Sequence, residues 1–575
     1  MKPAPEIALP FPYLFAAPFY LAGSLLCAFG AAPAQALGVH PGFTLTSLRP
    51  PGFDPMVSGL DFLPDGRLVV STWEGFGATK GSVYLVANAQ SGDSSKVTYK
   101  KFAAGLNEPL GVKVLGGEIY LLQKDQLSQL PDKNNDGLAD EVKKIASGWT
   151  VQPGSKNLEF AMGMVYRDSV FYGGLATAWP WGSQETAERG CIIQMSPKTG
   201  GFAPYACGMR TPNGMTLGPD NEIFVTENQG NWVPSSKLLN IRKGRFYGVH
   251  KKAPGPFDKE PETPPAIWMD HGNIAVSPTQ PVYLKSGVYQ GQMLAGDAQF
   301  GTLQRYFLEK IGGEYQGAVM YFTGGLQAAA NRIVTGPDGA LYVGGIGTQE
   351  WGVWDWSGKD YGLQRLAPNG KAFFDLLAVR SMGPTSLELE FTAPVGAGAD
   401  VAANYALKQW FYIPEEAYGA GKQPVQTLAV VSAKPSADKL RVTLEVTGMR
   451  VKNVVYLKLG GVKAADGAAS WTTEAWYTQN AFGPGVTVAT ADPIPAGAPA
   501  ARMQARPLGA GKIGIRVPGT GRFELSIRDA SGKIRERRIG MGPMQFTGSA
   551  VYQSGLYLLT LEDSHGSCHR KFINP

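Results

Sequence analysis

The sequence predicts an all-β chain: a six-bladed β-propeller, then an immunoglobulin-like β-sandwich, then a small C-terminal β-sandwich. Three observations lead there. A unit of turn, apolar strand, Pro-Asp-Gly-like turn and second apolar strand recurs about every 50 residues, the signature of blades packed around an axis. Past Gly370 the repeat stops, and short alternating strands follow with no helix-period segment between them. The 575 residues include 74 Gly and 42 Pro, a composition suited to many tight turns and few long helices.

The N-terminus comes first. Lys2 precedes an apolar run from Ile7 to Ala32, and Ala34-Gln35-Ala36 is a small-x-small cleavage signal. Residues 1–36 therefore read as a secretory signal peptide, with the mature chain starting near Leu37. Pro10, Pro12 and Pro18 weigh against a membrane anchor, and no later stretch is long and apolar enough to span a bilayer. The mature protein is expected to be secreted or held at the outer surface, with no transmembrane segment. The net charge of +6 is small for this length, and no dense Lys/Arg stripe is present. No nucleic acid partner is expected. The basic run Arg535–Arg538 suits a solvated strand face.

Residues 37–370 hold the repeat. Copies stand at 59–75, 109–125, 161–177, 212–228 and 330–347, and a degenerate copy at 280–309 fills the gap before the last. One small sheet cannot bury both faces alone, so six stack around a ring. The Asp-Gly turns suit tight connections, because Gly accepts positive φ. The segment Gly230–Pro281 is long and proline-rich, and reads as a lid or linker across one face. Residues 371–481 form the predicted sandwich, 482–502 a Gly/Ala/Pro-rich linker, and 503–575 the last module.

Export permits disulfides. After signal removal Cys191, Cys207 and Cys568 remain. The turn Pro197–Gly201 lets Cys191 and Cys207 face each other across neighbouring strands and bridge. Two buried free thiols are the alternative.

The best-formed repeat, Cys207–Gly230, displays polar residues at its ends: Arg210, Asn213, Glu227, Asn228 and Gln229. Loops on a rigid scaffold are where working residues collect. A second motif, DKNNDGLADE at 132–141, places Asp132, Asn134 and Asp136 at positions 1, 3 and 5 of a calcium loop, Gly137 at 6 and Asp140 at 9. Position 12 is Lys143 instead of Glu. Ca²⁺ is expected here; a solvated acidic turn is the alternative. A third set is aromatic. Trp179, Trp181, Trp232, Trp351, Trp354 and Trp356 follow predicted strands, where they can stack on sugar rings or pack between loops.

Arg210-Thr211-Pro212-Asn213-Gly214 with Thr226-Glu227-Asn228-Gln229-Gly230 resembles the soluble glucose/sorbosone dehydrogenase family. Those propellers use pyrroloquinoline quinone (PQQ) and calcium. The resemblance implies that Arg210 contacts the quinone and that Gln229-Gly230 form the calcium-binding loop, with Asn213 on the same cofactor rim; Glu227 and, from the aromatic set, Trp232 are the candidates to meet substrate. A guanidinium suits a carboxylate or quinone oxygen. The family's catalytic His, however, falls where this chain has Ala161. Either His271 substitutes from the long segment, or this propeller does not abstract hydride from a sugar. The stretches 301–347 and 361–380 resemble large secreted bacterial propellers of the same group. No Cys-x-x-Cys-His occurs, so no c-type haem is expected.

The last block is similar to the C-terminal sorting domain of type IX secretion cargo. Ser526-Ile527-Arg528-Asp529 with Gly532-Lys533, then Ser554-Gly555-Leu556-Tyr557, then Arg570-Lys571 carry that likeness. It implies the type IX secretion machinery as a partner. The leading expectation is a secreted PQQ-dependent sugar or alcohol dehydrogenase-like propeller with no assigned base. The alternative is a non-catalytic propeller that binds a sugar, a polysaccharide or a partner. A third reading, a metal-dependent hydrolase, has only Glu227 and Asp297 to start from.

Overall fold

The structure, a computed structural model, describes residues 38–76, 79–152, 158–177, 186–348, 356–419 and 421–484, and the strands of the C-terminal module from residue 504. The signal segment and nearly all of the linker lie outside the described residues, as do Trp179, Trp181, Trp351 and Trp354. The chain forms two compact units that divide between Val486 and Thr487.

Strand β1 (Phe43–Ser47) precedes six antiparallel sheets. The first five are β2–β5 (Val57–Phe62, Leu68–Thr72, Gly81–Ala87, Thr98–Leu106), β6–β9 (Gly111–Leu115, Glu118–Leu122, Gln126–Leu130, Lys143–Ser147), β10–β13 (Ala161–Arg167, Val170–Leu175, Cys191–Met195, Phe202–Cys207), β14–β17 (Pro212–Leu217, Ile223–Glu227, Ser236–Ile241, Ile267–Met269) and β18–β21 (Pro278–Tyr283, Met293–Asp297, Leu303–Ile311, Glu314–Thr323). The sixth has β22 (Ala329–Thr335), β23 (Leu341–Ile346) and β24 (Tyr361–Pro368), and β1 completes it as outer strand, with Phe43 opposite Pro368 and Ser47 opposite Gln364. Inner strands β2, β6, β10, β14, β18 and β22 pack in a closed ring, β22 returning to β2. The chain is a six-bladed propeller closed by its own N-terminal strand. Pairing both ends in one sheet leaves no open seam in the ring.

The repeat has a local cause. Alternating side chains bury one face against each neighbouring blade, and each interface has its own apolar cluster. Leu63, Val69 and Val83 of the first blade meet Val112, Ile119 and Leu121 of the second. The turns follow from residue type: Gly66 and Gly339 have φ 87° and 75° in the two Pro-Asp-Gly turns. Near the axis, backbones touch. A Cβ on Gly214 would lie 2.2 Å from the Cα of Gln280 in the next blade, so that inner-strand position has no room for a side chain.

Two expectations change here. Gly230–Pro281 is not a lid: it supplies β16 and β17, the outer half of the fourth blade, and only 242–266 is an excursion. The degenerate copy at 280–309 is obscured because its outer strands are long and buried, leaving near-continuous apolar runs instead of alternation.

The sandwich comprises β25 (Leu376–Gly383), β26 (Ser386–Phe391), β27 (Tyr405–Trp410), β28 (Gln426–Pro435), β29 (Arg441–Thr447), β30 (Asn453–Leu459) and β31 (Glu474–Gln479). One layer runs β25-β26-β29-β28 and the other β31-β30-β27-β28, an immunoglobulin-like order with β28 shared. Strict alternation is visible in β29, where Val442, Leu444 and Val446 point into the core. Strand β31 also pairs with β21, Val319 opposite Trp476, so the fifth blade and the sandwich share one continuous sheet. Buried Arg305 pairs with buried Asp375 at 3.2 Å across that junction.

The second unit holds β32–β38: Gln504–Gly509, Lys512–Val517, Arg522–Asp529, Ile534–Met541, Met544–Thr547, Gly555–Asp563 and Gly566–Asn574. They form sheets β32-β33-β36 and β35-β34-β37-β38 around Ile515, Leu525, Ile527 and Leu559. Arg535 and Arg537 are exposed on β35 and pair with Asp529 and Glu524. Among the described residues no helix is long and apolar enough to cross a membrane.

Candidate functional site

The inner strands begin, and the second strands end, on one face of the propeller. Five of the six inner hairpins break register at that end: Val57/Gly59, Met162/Val165, Pro212/Gly214, Pro278/Pro281 and Ala330/Arg332. A bulge releases a residue from the ladder and re-aims it. Ser58, Asn213 and Asn331 are the residues released in three of them, and all three turn to one group on the axis.

That group is Arg332. Its Nε donates to Ser58 O at 2.9 Å, Nη2 to Leu110 O at 2.9 Å, and Nη1 to Asn331 O, Asn331 Oδ1 and Asn213 Oδ1 at 3.0, 2.8 and 3.2 Å. Four blades are thereby tied to a fully buried guanidinium. Among the described residues no carboxylate pairs with it. Burial pulls its pKa down to about 9, so it remains charged at neutral pH. Sequence reading passed over Arg332. The signal was present: a charge inside an otherwise apolar inner strand, next to an Asn.

Above Arg332 lies the axial mouth, a depression lined by Trp73, Leu110, Phe160, Met162, Asn213 and Ile346 among others. Trp73 Nε1 donates to Glu108 Oε2 at 3.3 Å. Lys124 Nζ in turn pairs with Glu108 Oε1 at 2.7 Å, both side chains buried. Behind the aromatic wall the site therefore holds an ion pair that fixes the indole. The depression is small, about 40 Å³, and its aromatic lining and the Asn213 amide are buried. Ala161 is buried where the resemblance would place a His.

The rim expected from the sequence stands beside the mouth and is engaged within the chain. Arg210 Nη1 donates to Gln229 O at 3.1 Å and Thr211 Oγ1 at 3.3 Å, and the Tyr418 ring covers the guanidinium at 5.2 Å. Gly230 lies directly against that side chain and accepts a hydrogen bond from Gly419 N at 3.2 Å. Gln229 Nε2 donates to Pro234 O at 3.2 Å. Trp232 N donates to Glu415 O at 2.8 Å, Asn231 Nδ2 to Glu416 O at 2.8 Å, and the Trp232 indole packs on His250. The sandwich segment 411–419 thus lies over the loop where a quinone and its calcium were expected. Arg210, Gln229 and Gly230 are engaged there within the chain, while Asn228 Oδ1, Asn231 Oδ1 and Trp232 Nε1 are buried without a partner.

Glu227 is fully buried and accepts N–H bonds from Arg210 and Thr211, the latter at 2.6 Å, so its carboxylate faces the blade. Burial raises its pKa and lowers that of Lys237, its cross-strand neighbour. Asp297 is likewise buried. Burial pushes it up to about 6 against four backbone N–H groups that favour its charge. Neither carboxylate reaches a metal site. His271 is half-buried with its Nδ1 enclosed and unpartnered, and burial lowers its pKa.

In the loop 132–141, Asp132 accepts from Asp136 N at 3.1 Å and Gly137 N at 3.0 Å, Asn134 Oδ1 from Asp136 N at 3.0 Å, and Asp140 from Lys133 N at 2.6 Å. Lys100 Nζ sits on the Asp136 carbonyl, and Lys133 pairs with Glu141. Such side-chain-to-backbone bonds are common to a calcium loop and to a solvated acidic turn. Among the described residues no group of three or more His, Cys, Asp and Glu is placed to hold a metal. Cys191 and Cys207 lie opposite each other on β12 and β13 and are joined by a disulfide.

Comparison with known proteins adds relatives in architecture. No protein-family model matches the chain, and no curated protein matches it. Among solved structures it is similar to an oxidoreductase described as a glucose dehydrogenase from Thermus thermophilus, at 18% identity and TM-score 0.43 over 56% of this chain and 100% of that one. It is also similar to the PQQ-bound aldose sugar dehydrogenase of Streptomyces coelicolor, at 17% identity and TM-score 0.42 over 57% and 99%. A third is the PQQ domain of a pyranose dehydrogenase from Coprinopsis cinerea, at 13% and 0.41 over 58% and 97%. The propeller itself is read from the six sheets.

Proposed function

We propose that this protein is a carbohydrate-binding propeller of sugar-dehydrogenase-like architecture that does not use the Arg210 rim for catalysis. One observation carries the reading: the sandwich segment 411–419 covers Arg210, Gln229 and Gly230, beside a small axial depression lined by Trp73, Phe160 and Asn213. Aromatic faces with a few fixed amides suit the C–H face and hydroxyls of a sugar.

The second reading is PQQ-dependent sugar or alcohol oxidation, and Arg332 is the observation that favours it. A buried cation with no carboxylate partner among the described residues, just beneath the mouth, attracts a carboxylate-bearing ring. PQQ would supply the hydride acceptor; Asn213 and the field of Arg332 would orient it. One experiment separates the two. The mature protein is incubated with PQQ and Ca²⁺, assayed for dye reduction over an aldose panel, and titrated with the same sugars. Binding without PQQ uptake or turnover is expected. Stoichiometric PQQ uptake with dye reduction would overturn the first reading.

Export rests on sequence alone. The signal at 1–36 and the sorting-domain likeness of 503–575 support a secreted or outer-surface protein handled by type IX secretion machinery. Retention of a reporter in the cell after deletion of 503–575 tests it.

A further inference from the structure

The pairing of β21 with β31 creates a seam that no propeller or sandwich has alone. Beside it opens a cleft of about 270 Å³, at the small end of ligand sites. Its walls come from both bodies. Tyr321 stands on β21, Trp410 on β27, Tyr456 on β30 and Trp476 on β31. Their rings form a chain of contacts, Tyr321 to Trp476 at 6.2 Å, Trp476 to Tyr456 at 5.3 Å and Tyr456 to Trp410 at 6.5 Å. The two tyrosines are half-exposed and the two tryptophans buried behind them.

The polar groups are held in place. Lys422 Nζ pairs with Asp270 Oδ2 at 2.7 Å and lies 4.6 Å over the Trp410 ring. Asn273 Nδ2 donates to the same carboxylate at 2.7 Å. Tyr456 OH donates to Glu474, which also pairs with Lys458 at 3.3 Å. Lys408 is exposed on the same wall. Trp410 Nε1 is buried with no hydrogen-bond partner. Two carboxylates and two ammoniums line the cleft, so it carries no net charge.

We propose that this seam is a second carbohydrate site, independent of the axial mouth, and that it takes a neutral pyranoside. Aromatic rings accept the C–H face of a sugar, and carboxylates and ammoniums fixed by their own partners accept from and donate to its hydroxyls. An apolar peptide would leave those charges dry, at a cost. An acidic sugar would meet Asp270 and Glu474.

The test uses the mature chain and a printed panel of neutral and acidic oligosaccharides, followed by calorimetric titration with the strongest neutral binder. Tyr456→Ala is expected to weaken binding about tenfold or more, and Lys408→Glu, at an exposed position that leaves the core intact, about threefold. Tyr456→Phe separates stacking from the hydroxyl and should keep most of the affinity. No binding to neutral sugars at millimolar concentration, binding to acidic sugars alone, or a loss confined to an Asn213→Ala variant would overturn the proposal.

Discussion

The ring of Tyr418 lies over the guanidinium of Arg210, 5.2 Å from its carbon. The two residues are 208 positions apart, one before an inner strand of the fourth blade and the other in a sandwich loop. The contact covers one face of a guanidinium whose Nη1 already donates to Gln229 O and Thr211 Oγ1. Tyr418 is itself 55% exposed. Its removal should cost only about 0.5–1 kcal/mol, the range of an exposed cation–π pair. In Tyr418→Ala, labelling of Arg210 by a dicarbonyl reagent should rise several-fold while the urea midpoint barely moves. Unchanged labelling would mean that Gly230 and Thr211 alone shield the group.

Arg332 should behave in the opposite way. Arg332→Met removes a charge and takes a donor from the Ser58 carbonyl and from the amide oxygens of Asn213 and Asn331, while the Leu110 carbonyl keeps Gly163 N. Each buried acceptor left without a donor costs about 1–3 kcal/mol. A loss of about 3 kcal/mol or more in urea unfolding is expected, far beyond a surface change. Arg332→Lys should recover little, because one ammonium cannot span acceptors on four blades. A near-neutral Arg332→Met would show that the axis is held by backbone packing instead.

These two arginines also mark what the chain discloses of itself. Period-two alternation broken by Pro-Asp-Gly turns exposes the inner hairpins, because one strand's pattern depends only on which face is buried. The closing pairing of β1 with β24 and the seam between β21 and β31 join segments more than 150 residues apart, and no local pattern records them. Arg210 was legible as a displayed residue in a loop. Its cap was not, since it comes from Tyr418. Arg332 was hidden for another reason: bulges that turn Ser58, Asn213 and Asn331 toward it are events of register, which composition does not report.

The Cys191–Cys207 bridge closes a loop of 16 residues, for which chain entropy gives about 3 kcal/mol. Both cysteines are fully buried, so Cys191→Ala with Cys207→Ala also loses no hydrogen-bond partner of consequence. The double variant and the reduced protein should each unfold at lower urea by about 2–4 kcal/mol. Agreement between them would assign the effect to the cross-link. A much larger loss in the variant would assign it to packing between the second and third blades.

His40 gives the clearest pH dependence. It is buried at the propeller's closure, its Nδ1 accepting from Gly42 N at 3.0 Å and its Nε2 bonded to Tyr289 OH at 2.9 Å. Burial lowers its pKa to about 4, and nearby Arg305 adds to the shift while Asp375 opposes it. The unfolded chain, with an ordinary imidazole, binds the proton first, so stability falls as pH drops from about 6.5 toward 4. The size is about 3 kcal/mol. Asp297 acts with the opposite sign over nearly the same window, because its folded pKa of about 6 lies above its unfolded value and acid relieves it. The two contributions therefore oppose each other between pH 6 and 4. His40→Gln, which keeps a donor and an acceptor, should remove the His40 contribution and gain stability relative to wild type on acidification. Parallel curves for the two proteins in urea titrations at pH 7, 5.5 and 4.5 would show that His40 keeps its proton in the fold.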